Sequence, residues 1–379
     1  MFSRTQHGPL VHAGNALSGL RTLVRLAYVT TLFLFGYLRR ARRKLLERGA
    51  IVVLTFHRVL DDESYKRSNS LPGIVIREET FHQLLKYLVQ QCDPVCLDGA
   101  VPGVRSTKLR VAVTFDDGWQ DNFHSAFPIA RDYGLPFSVF ICPGLVGQNA
   151  PFWPEQVSAL LRINGASQTK IEEVIENLKQ QPATCRDAYL ESLRKTSNRN
   201  WSDASGADQL LTWDDIRKMR AEGVSFGSHT YTHQLLTTIS PKSAAKELYQ
   251  SKSTIEAELG EPCVTFAYPN GDCSLHTRQW VSDAGYSKAV TTRKGAWTAE
   301  GDPLSIPRLN VSEGNVTGLL GQFSSMMFEY TTFWWASRAL SKSKTHQSAR
   351  WSSDLEEDSI GQQRRHTPKR SASRESSQS

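Results

Sequence analysis

The chain of 379 residues has no CxxC pair among its six cysteines, no apolar run long enough to cross a bilayer, no internal repeat and no nucleic-acid reader motif. Each absence removes a class of protein. Cys92, Cys96, Cys142, Cys185, Cys263 and Cys273 are dispersed, which excludes a structural zinc ribbon and makes most of them buried thiols. Cys92 and Cys96 are close enough in sequence to pair in an oxidising compartment, and the sequence does not decide whether they do. The net charge of +7 comes from Lys and Arg gathered in the two termini, so no nucleic-acid partner is expected. With 39% hydrophobic and 22% charged residues the chain can still bury one large core, and α/β barrels of roughly 200 to 250 residues form single domains.

Four regions divide the chain: a basic, apolar N-terminal helix over 1–49, a catalytic region over 50–316, an aromatic segment over 317–340 and a polar tail over 341–379. The apolar stretch Leu26–Leu38 lies between Arg21 and Arg25 on one side and Arg39, Arg40, Arg42 and Arg43 on the other. It is shorter than the roughly 20 residues a spanning helix needs, and arginines stand where a signal peptide would carry small cleavage-site residues. Two readings remain. The stretch is an uncleaved helix on a membrane surface, giving peripheral association and a membrane or envelope location, or it packs on the domain's own surface, which leaves a cytoplasmic location open. Trp334 and Trp335 fall outside the expected barrel and read as a membrane-interface or docking element. The tail is Ser, Arg, Lys, Gln and Glu with almost no aliphatic residues, so disorder is expected from Ser341 onward.

Within the catalytic region short β-branched runs alternate with helical patterns, the signature of strand–helix units around a parallel sheet or barrel. Ile51–Phe56, Arg110–Phe115, Phe137–Ile141, Val224–Ser228, Val264–Ala267 and Ser287–Thr291 read as strands. Phe81, Leu84, Leu85, Leu88 and Val89 recur at helical spacing after Thr80 as a cap. Thr212 and Asp215 form a capping-box pattern for a helix that stops at Gly223, Ser240-Pro241 opens another that runs through Leu259, and a further helix covers about Thr277 to Ala284. The polar, helical stretch from Glu155 to Ser205 looks like an insertion between barrel units.

The reactive side chains follow these strands. His57 comes after the first, Asp116 and Asp117 after the second, His229 and His233 after the Val224 strand, and Tyr268-Pro269 after the Val264 strand. In a parallel α/β barrel those strand ends form the active face. His229 and His233 stand four apart in SHTYTH and fit one face of a helical turn, the spacing of a metal-binding pair, although alone such a pair is more often a hydrogen-bonded surface feature. The adjacent carboxylates of TFDDG call for a cation or a proton to relieve their repulsion, with helix capping as the plainer explanation. One Asp with two His is a catalytic zinc-type ligand set that leaves positions open. An iron oxygenase shares that set but spaces its first His and carboxylate two apart, unlike this order.

TFDDG at 114–118 and HTYTH at 229–233, with FAYPNG at 266–271 and LTFHRV at 54–59, resemble the polysaccharide deacetylases with the NodB-homology domain over about Ile51 to Val316. The resemblance implies a distorted (β/α) barrel of about seven strands acting on an N-acetylated polysaccharide or oligosaccharide. It implies Asp116 as general base, a divalent metal ion, by default Zn, on Asp117, His229 and His233, and the backbone amide of Tyr268 as a donor to the oxyanion. Two departures from the family pattern stand out. The late LxxH motif is replaced by IPRLNV at 306–311, with Asn310 and no histidine, and no arginine precedes the Pro of the FAYPNG run. Members with an early YHxV-like run use its histidine, which makes His57 the candidate general acid, and Arg308 is the candidate to orient Asp116 in place of the missing arginine. The missing histidine also keeps open a catalytically inactive, carbohydrate-binding relative, against which stands the retention of both aspartates and both metal-site histidines. Phe152-Trp153 and Trp213 are candidate sugar-stacking aromatics, with core anchoring as the alternative for Trp213.

Overall fold

The computed structural model describes residues 10–148, 152–196 and 209–340, of which 10–21 are described by backbone alone. The expected tail beyond Leu340 and the end of the insertion, 197–208, lie outside the described residues. Among the described residues the strands are β1 Ile51–Phe56, β2 Arg58–Leu60, β3 Val75–Arg77, β4 Cys92–Pro94, β5 Leu109–Phe115, β6 Phe137–Ile141, β7 Ser225–Ser228, β8 Thr265–Ala267, β9 Lys288–Val290 and β10 Arg308–Asn310. The helices run α1 Leu10–Leu34, α2 Tyr37–Glu47, α3 Asp62–Arg67, α4 Glu78–Gln91, α5 Phe127–Asp132, α6 Trp153–Ile163, α7 Gln168–Lys179, α8 Ala183–Thr196, α9 Trp213–Ala221, α10 Pro241–Leu259, α11 Leu275–Asp283, α12 Glu313–Val316 and α13 Ser325–Glu329.

Seven parallel strands follow one another in the order β10-β1-β5-β6-β7-β8-β9, with β4 added beside the start of β5. A parallel bridge between Val290 and Ile306, just before β10, nearly closes the ring into a distorted (β/α) barrel. The period-2 alternation of a strand sorts its residues between two cores. Val52, Leu54 and Phe56 of β1 and Val111, Val113 and Phe115 of β5 point outward into the main cluster with the helices. Ile51, Val53 and Ala112 point inward with Phe140, Ala267 and Val290. One pleat further along, the inward positions turn polar, and Thr55 and Thr114 meet at 3.2 Å between their hydroxyls. The same alternation then carries His57 and Asp116 to the inner face of the rim.

Caps and turns follow local chemistry. The Thr212–Asp215 capping box closes with mutual bonds of 3.1 and 3.2 Å, and α9 ends before Gly223 at φ 94°. α10 runs from Pro241 after the Ser240 cap to Leu259, and Gly260 at φ 69° stops it. Thr80 is not a cap: α4 begins two residues earlier, and Thr80 is buried with its hydroxyl on Glu313. None of the six cysteines is in a disulfide; Cys92, Cys142 and Cys263 are buried, and burial pushes the Cys92 and Cys263 thiols up to about 12. The insertion folds as α6, α7 and α8 around a small core of its own, with Val157, Leu160, Ile171, Ile175 and Leu190.

The N-terminal apolar stretch is two helices rather than one. Gly36 sits at φ 72°, a conformation glycine adopts without steric penalty, and breaks the run between α1 and α2. The inward side chains Val29, Leu32 and Leu38 pack with Met327, Tyr330 and Trp334, while Leu45 reaches the main core. The aromatic segment is joined to that core, since Phe328, Phe333 and Ala336 are fully buried in it. No described helix is long and apolar enough to cross a membrane.

Phe115 is the hinge of the outer core, stacked on Phe56 at 5.4 Å and edge-on to Phe81 and Phe137 at 5.9 and 5.4 Å. Phe115→Ala is expected to cost about 3–5 kcal/mol, and Phe115→Leu distinctly less, in urea unfolding. A loss below about 1 kcal/mol for the alanine variant would show that this cluster does not anchor the barrel wall.

Candidate active site

At the end of β5 the chain makes a turn in which both Asp117 and Gly118 have φ 76°. A Cβ on Gly118 would stand 2.9 Å from Ile141 Cγ2, so the position needs glycine on two counts. The turn throws the neighbouring carboxylates apart. Asp116 stays on the inner face of the barrel and Asp117 swings toward the β7 rim.

Asp116, 3% exposed, receives both terminal nitrogens of Arg308 at 2.7 Å each. Arg308 lies on β10 with Val53 of β1 as its register partner, and its side chain is 1% exposed within the barrel. Nη1 also donates to Thr114 Oγ1 and Nε to the Thr291 carbonyl, both at 3.2 Å, so the guanidinium is held from two further strands or strand ends. Burial pushes the Asp116 pKa up, but the charge and hydrogen bonds of Arg308 outweigh it and keep the carboxyl below its usual value. His57 Nε2 lies 4.0 Å from the same carboxylate. The carbonyl of His57 accepts 2.8 Å from Asn122 Nδ2, which fixes the backbone at the base of the imidazole.

Asp117 faces the two other histidines. Its Oδ1 is 3.6 Å from His229 Nε2 and 3.4 Å from His233 Nε2, and its Oδ2 accepts from Trp119 Nε1 at 3.1 Å. Burial would raise its pKa, yet the hydrogen bond and charge of His233, with His57 and His229 behind them, hold it well below the ordinary carboxylate range. His229 Nδ1 is 2.7 Å from the Ala267 carbonyl; a carbonyl only accepts, so Nδ1 carries the proton and Nε2 keeps its lone pair. Burial lowers the His229 pKa to about 4, which leaves a neutral imidazole near pH 7.

These groups fit a divalent cation. The ligand atoms of Asp117, His229 and His233 all lie within 4.8 Å of one another. Ligands about 2.1 Å from a tetrahedral ion stand about 3.4 Å apart, close to the two separations found here. The Ala267 carbonyl behind His229 and the Trp119 indole behind Asp117 are the outer partners that fix ligand orientation in such sites.

The histidine pair is not on a helical turn. His229 continues the ladder, its amide on the Ile141 carbonyl at 2.8 Å, after which the chain forms a loop with Thr230 at φ 62° and His233 at φ 61°. Glu247 of α10 holds that loop, accepting 2.8 Å bonds from the amides of Tyr231 and Thr232 and 2.7 Å from the Thr232 hydroxyl. Gly144 packs against it so closely that a Cβ would meet the Tyr231 ring at 2.7 Å.

Tyr268 has its amide, the expected donor to the oxyanion, engaged in the sheet. Its amide donates to the Val290 carbonyl at 3.1 Å as part of the β8–β9 ladder, its hydroxyl donates to Leu304, and the residue is 1% exposed. Asn270, two residues on and at φ 60°, is the member of that turn that lines the cleft. Trp213 packs against the main core and is not in the cleft wall, whereas Phe152 and Trp153 are. The cleft holds about 360 Å³, with the catalytic-type groups at its floor, Leu71, Ile74 and Ile175 among its apolar walls, and Lys179 and Arg186 contributed by the insertion.

Several supports escaped the sequence reading. Arg58, fully buried beside His57, donates to Asp121 and Ser70 at 2.9 Å each and stacks 4.3 Å over Trp119. Asp121 in turn accepts from the Val59 amide at 2.9 Å. The available signal was position: Arg58 follows His57, and Trp119, Asp121 and Asn122 follow TFDDG.

Residues 103–289 match the profile of the polysaccharide deacetylase family. A curated Bacillus subtilis protein, YxkH, provisionally named a polysaccharide deacetylase, is 21% identical over 217 residues, which is 57% of this chain and 57% of YxkH. A crystal structure of a polysaccharide deacetylase from Bacillus cereus superposes with a TM-score of 0.50 at 19% identity, covering 73% of this chain and 69% of that one. The Streptococcus pyogenes deacetylase PplD, solved with acetate, gives 0.49 at 20% identity over 73% of this chain and 98% of its own.

Removing one partner of a buried ion pair strands a charge, so Arg308→Met should cost about 3–5 kcal/mol in urea unfolding. The double variant Arg308→Met/Asp116→Asn should regain much of that loss, because neither charge remains. Additive losses in the double-mutant cycle would mean the two groups are not energetically coupled.

Proposed function

We propose, from the match of residues 103–289 to the polysaccharide deacetylase family and from the site geometry, that the chain is a metal-dependent hydrolase removing N-acetyl groups from a polysaccharide or oligosaccharide. One observation carries the reading. Two adjacent carboxylates are given different partners, Asp116 the Arg308 guanidinium and Asp117 the two histidines, so that one is free for proton transfer and the other for a cation.

Asp117, His229 and His233 would hold the ion, zinc by the nature of the set. When bound it supplies Lewis acidity, lowering the pKa of the attacking water and polarising the acetamide carbonyl. That matters for Asp116, whose depressed pKa makes it a weak base that stays ionised. Arg308 occupies one lone pair on each carboxylate oxygen and leaves others able to accept the water proton. Oxygen of the water bonds to the acetyl carbon, the C–N bond of the tetrahedral adduct breaks, and the sugar nitrogen takes a proton as acetate leaves. His57, at the cleft with Nε2 4.0 Å from Asp116, is the residue suited to deliver that proton. Trp153, in the cleft wall with Arg186 stacked on its ring at 5.2 Å, is the aromatic suited to pack against a pyranose ring, while Phe152 is buried against Trp119 and His233.

Acetate release from a panel of N-acetylated glycans, with metal stripped and restored, tests the reading. Tight glycan binding with no release in any metal would favour a binding protein instead. Asp117→Ala, His229→Ala and His233→Ala should each lose most bound metal by elemental analysis while the melting temperature stays close to wild type. Full metal retention in all three removes the ligand assignment.

Asp116→Asn should retain metal and lose turnover, since the amide matches the carboxylate in shape but cannot take a proton. His57→Gln should lower kcat by about 10²- to 10⁴-fold with metal content intact. A loss under about threefold assigns the acid to another group.

A further inference from the structure

From Met1 to Leu46 the chain contains no Asp or Glu, while Arg25, Arg39, Arg40, Arg42, Arg43 and Lys44 fall within its described part. Some of these cations are used internally. Arg42 meets Tyr87 and Glu329 at 3.3 Å each, and Arg25 reaches the Asn315 carbonyl and Thr331 hydroxyl at 3.4 Å each. Arg39, Arg40 and Arg43 are exposed, and none makes an ion pair among the described residues.

Beside them lies an apolar surface that the fold leaves uncovered. While Val29, Leu32 and Leu38 turn inward, Val24, Tyr28, Phe33, Leu34, Phe35 and Tyr37 face out. Leu34 and Phe35, at the Gly36 elbow itself, are 71% and 72% exposed. Trp335 joins from far along the chain: Tyr28 packs edge-on to Tyr330 at 6.1 Å, and Tyr330 to Trp335 at 6.1 Å. Scattered exposed apolar residues are ordinary, but Phe33, Leu34, Phe35 and Tyr37 surround a single elbow on two helices packed with the aromatic segment, and the arginines that follow on α2, Arg39, Arg40 and Arg43, make no ion pair among the described residues.

We propose that the α1–α2 elbow, with Trp335, is a docking surface for a phospholipid bilayer rich in anionic lipid. The apolar tip enters the headgroup–acyl boundary, the three free arginines meet lipid phosphates, and Tyr37 and Trp335 sit at the interfacial level that amphipathic aromatics prefer. The contact is with one leaflet, since no described helix is long and apolar enough to cross. Charge complementarity selects this occupant over a second copy of the chain, because a twofold pairing of the same patch would set arginines against arginines. The docked element is tied to the site: α1 bonds through Arg25 to Asn315 of α12, the helix that follows β10 and its Arg308. The proposal is independent of the hydrolase reading and fails or stands separately from it.

Flotation of the full chain with vesicles of pure phosphatidylcholine and of phosphatidylcholine with phosphatidylglycerol tests it. Binding is expected to the anionic vesicles, at least tenfold over the neutral ones, and to weaken as salt is raised. Leu34→Glu/Phe35→Glu should abolish binding, and Arg39→Glu/Arg40→Glu/Arg43→Glu should remove the anionic preference, with melting temperatures unchanged because these side chains are exposed. Independently, brominated lipid should quench tryptophan fluorescence of the wild type, with the quenching reduced in Trp335→Phe. No flotation with either vesicle overturns the proposal. So does a concentration-dependent dimer that Leu34→Glu/Phe35→Glu dissociates while vesicles bind nothing, which would make the patch a subunit interface.

Discussion

The Arg308–Asp116 pair inside the barrel is the constraint from which the site's arrangement follows. A guanidinium that is 1% exposed must have its donors satisfied, and here the acceptors come from three places: both oxygens of Asp116, the Thr114 hydroxyl and the Thr291 carbonyl. Such a pair is not a strong source of stability, because desolvation offsets much of the attraction. Its value is geometric. A planar fork meeting a carboxylate with two bonds fixes the plane of Asp116 as well as its position. That leaves one fixed edge of the carboxylate toward the cleft and gives His57 a defined neighbour 4.0 Å away.

Two anions on consecutive residues can coexist only if each has its own counter-charge and the backbone keeps them apart. The positive φ at Asp117 and Gly118 does the second, at the cost of a conformation that a non-glycine residue adopts reluctantly. Surrounding bonds hold the strain in place: the Asp116 amide is tied to Phe56, and the Gly118 carbonyl to the Leu211 amide. A similar solution recurs at the histidine loop, where Thr230 and His233 also have positive φ and Glu247 grips the intervening amides. Positive φ at non-glycine residues thus occurs at three turns of the site, those of Asp117, of Thr230 and His233, and of Asn270, the first held by the ladder and the second by a helix.

Long periodic elements were legible in the sequence because their side chains report the environment directly. β1 and β6 fall where the β-branched and aromatic runs do, and α9 and α10 where the caps and stop glycines do. β2, β4 and β10 were not legible: each has three residues and, unlike the equally short β8 and β9, no flanking β-branched run to mark it, and Arg308 interrupts the apolar pattern of the last. The break at Gly36 was hidden because the apolar run continues through it. Asp116, Asp117, His57, His229 and His233 converge because each follows a strand of one parallel barrel, a placement that topology alone dictates. What holds them is another matter. Glu247 lies on a helix well beyond Thr232, and nothing local says that its carboxylate returns to that loop. The ladder bond of the Tyr268 amide to Val290 was hidden as well, because strand pairing is not displayed by a motif.

The cleft divides the work between two parts of the molecule that have separate cores. Its floor belongs to the barrel, where His57, Asp116 and Arg308 are fixed to strands. One wall belongs to the α6–α8 insertion, whose apolar cluster is distinct from the barrel's. From it come Ile175, Lys179 and Arg186, the last 6% exposed, stacked at 5.2 Å over Trp153 and with its pKa lowered by burial. The floor is thus carboxylate and imidazole while this wall is cationic and apolar. Because a separate core carries the wall, its residues can vary without disturbing the packing that orients Asp116. If the chain is the hydrolase proposed above, substrate fit would fall largely to α6–α8, which reach the histidine loop through Arg186 and Gln234 at 3.3 Å, and proton transfer to strand ends that the whole barrel constrains.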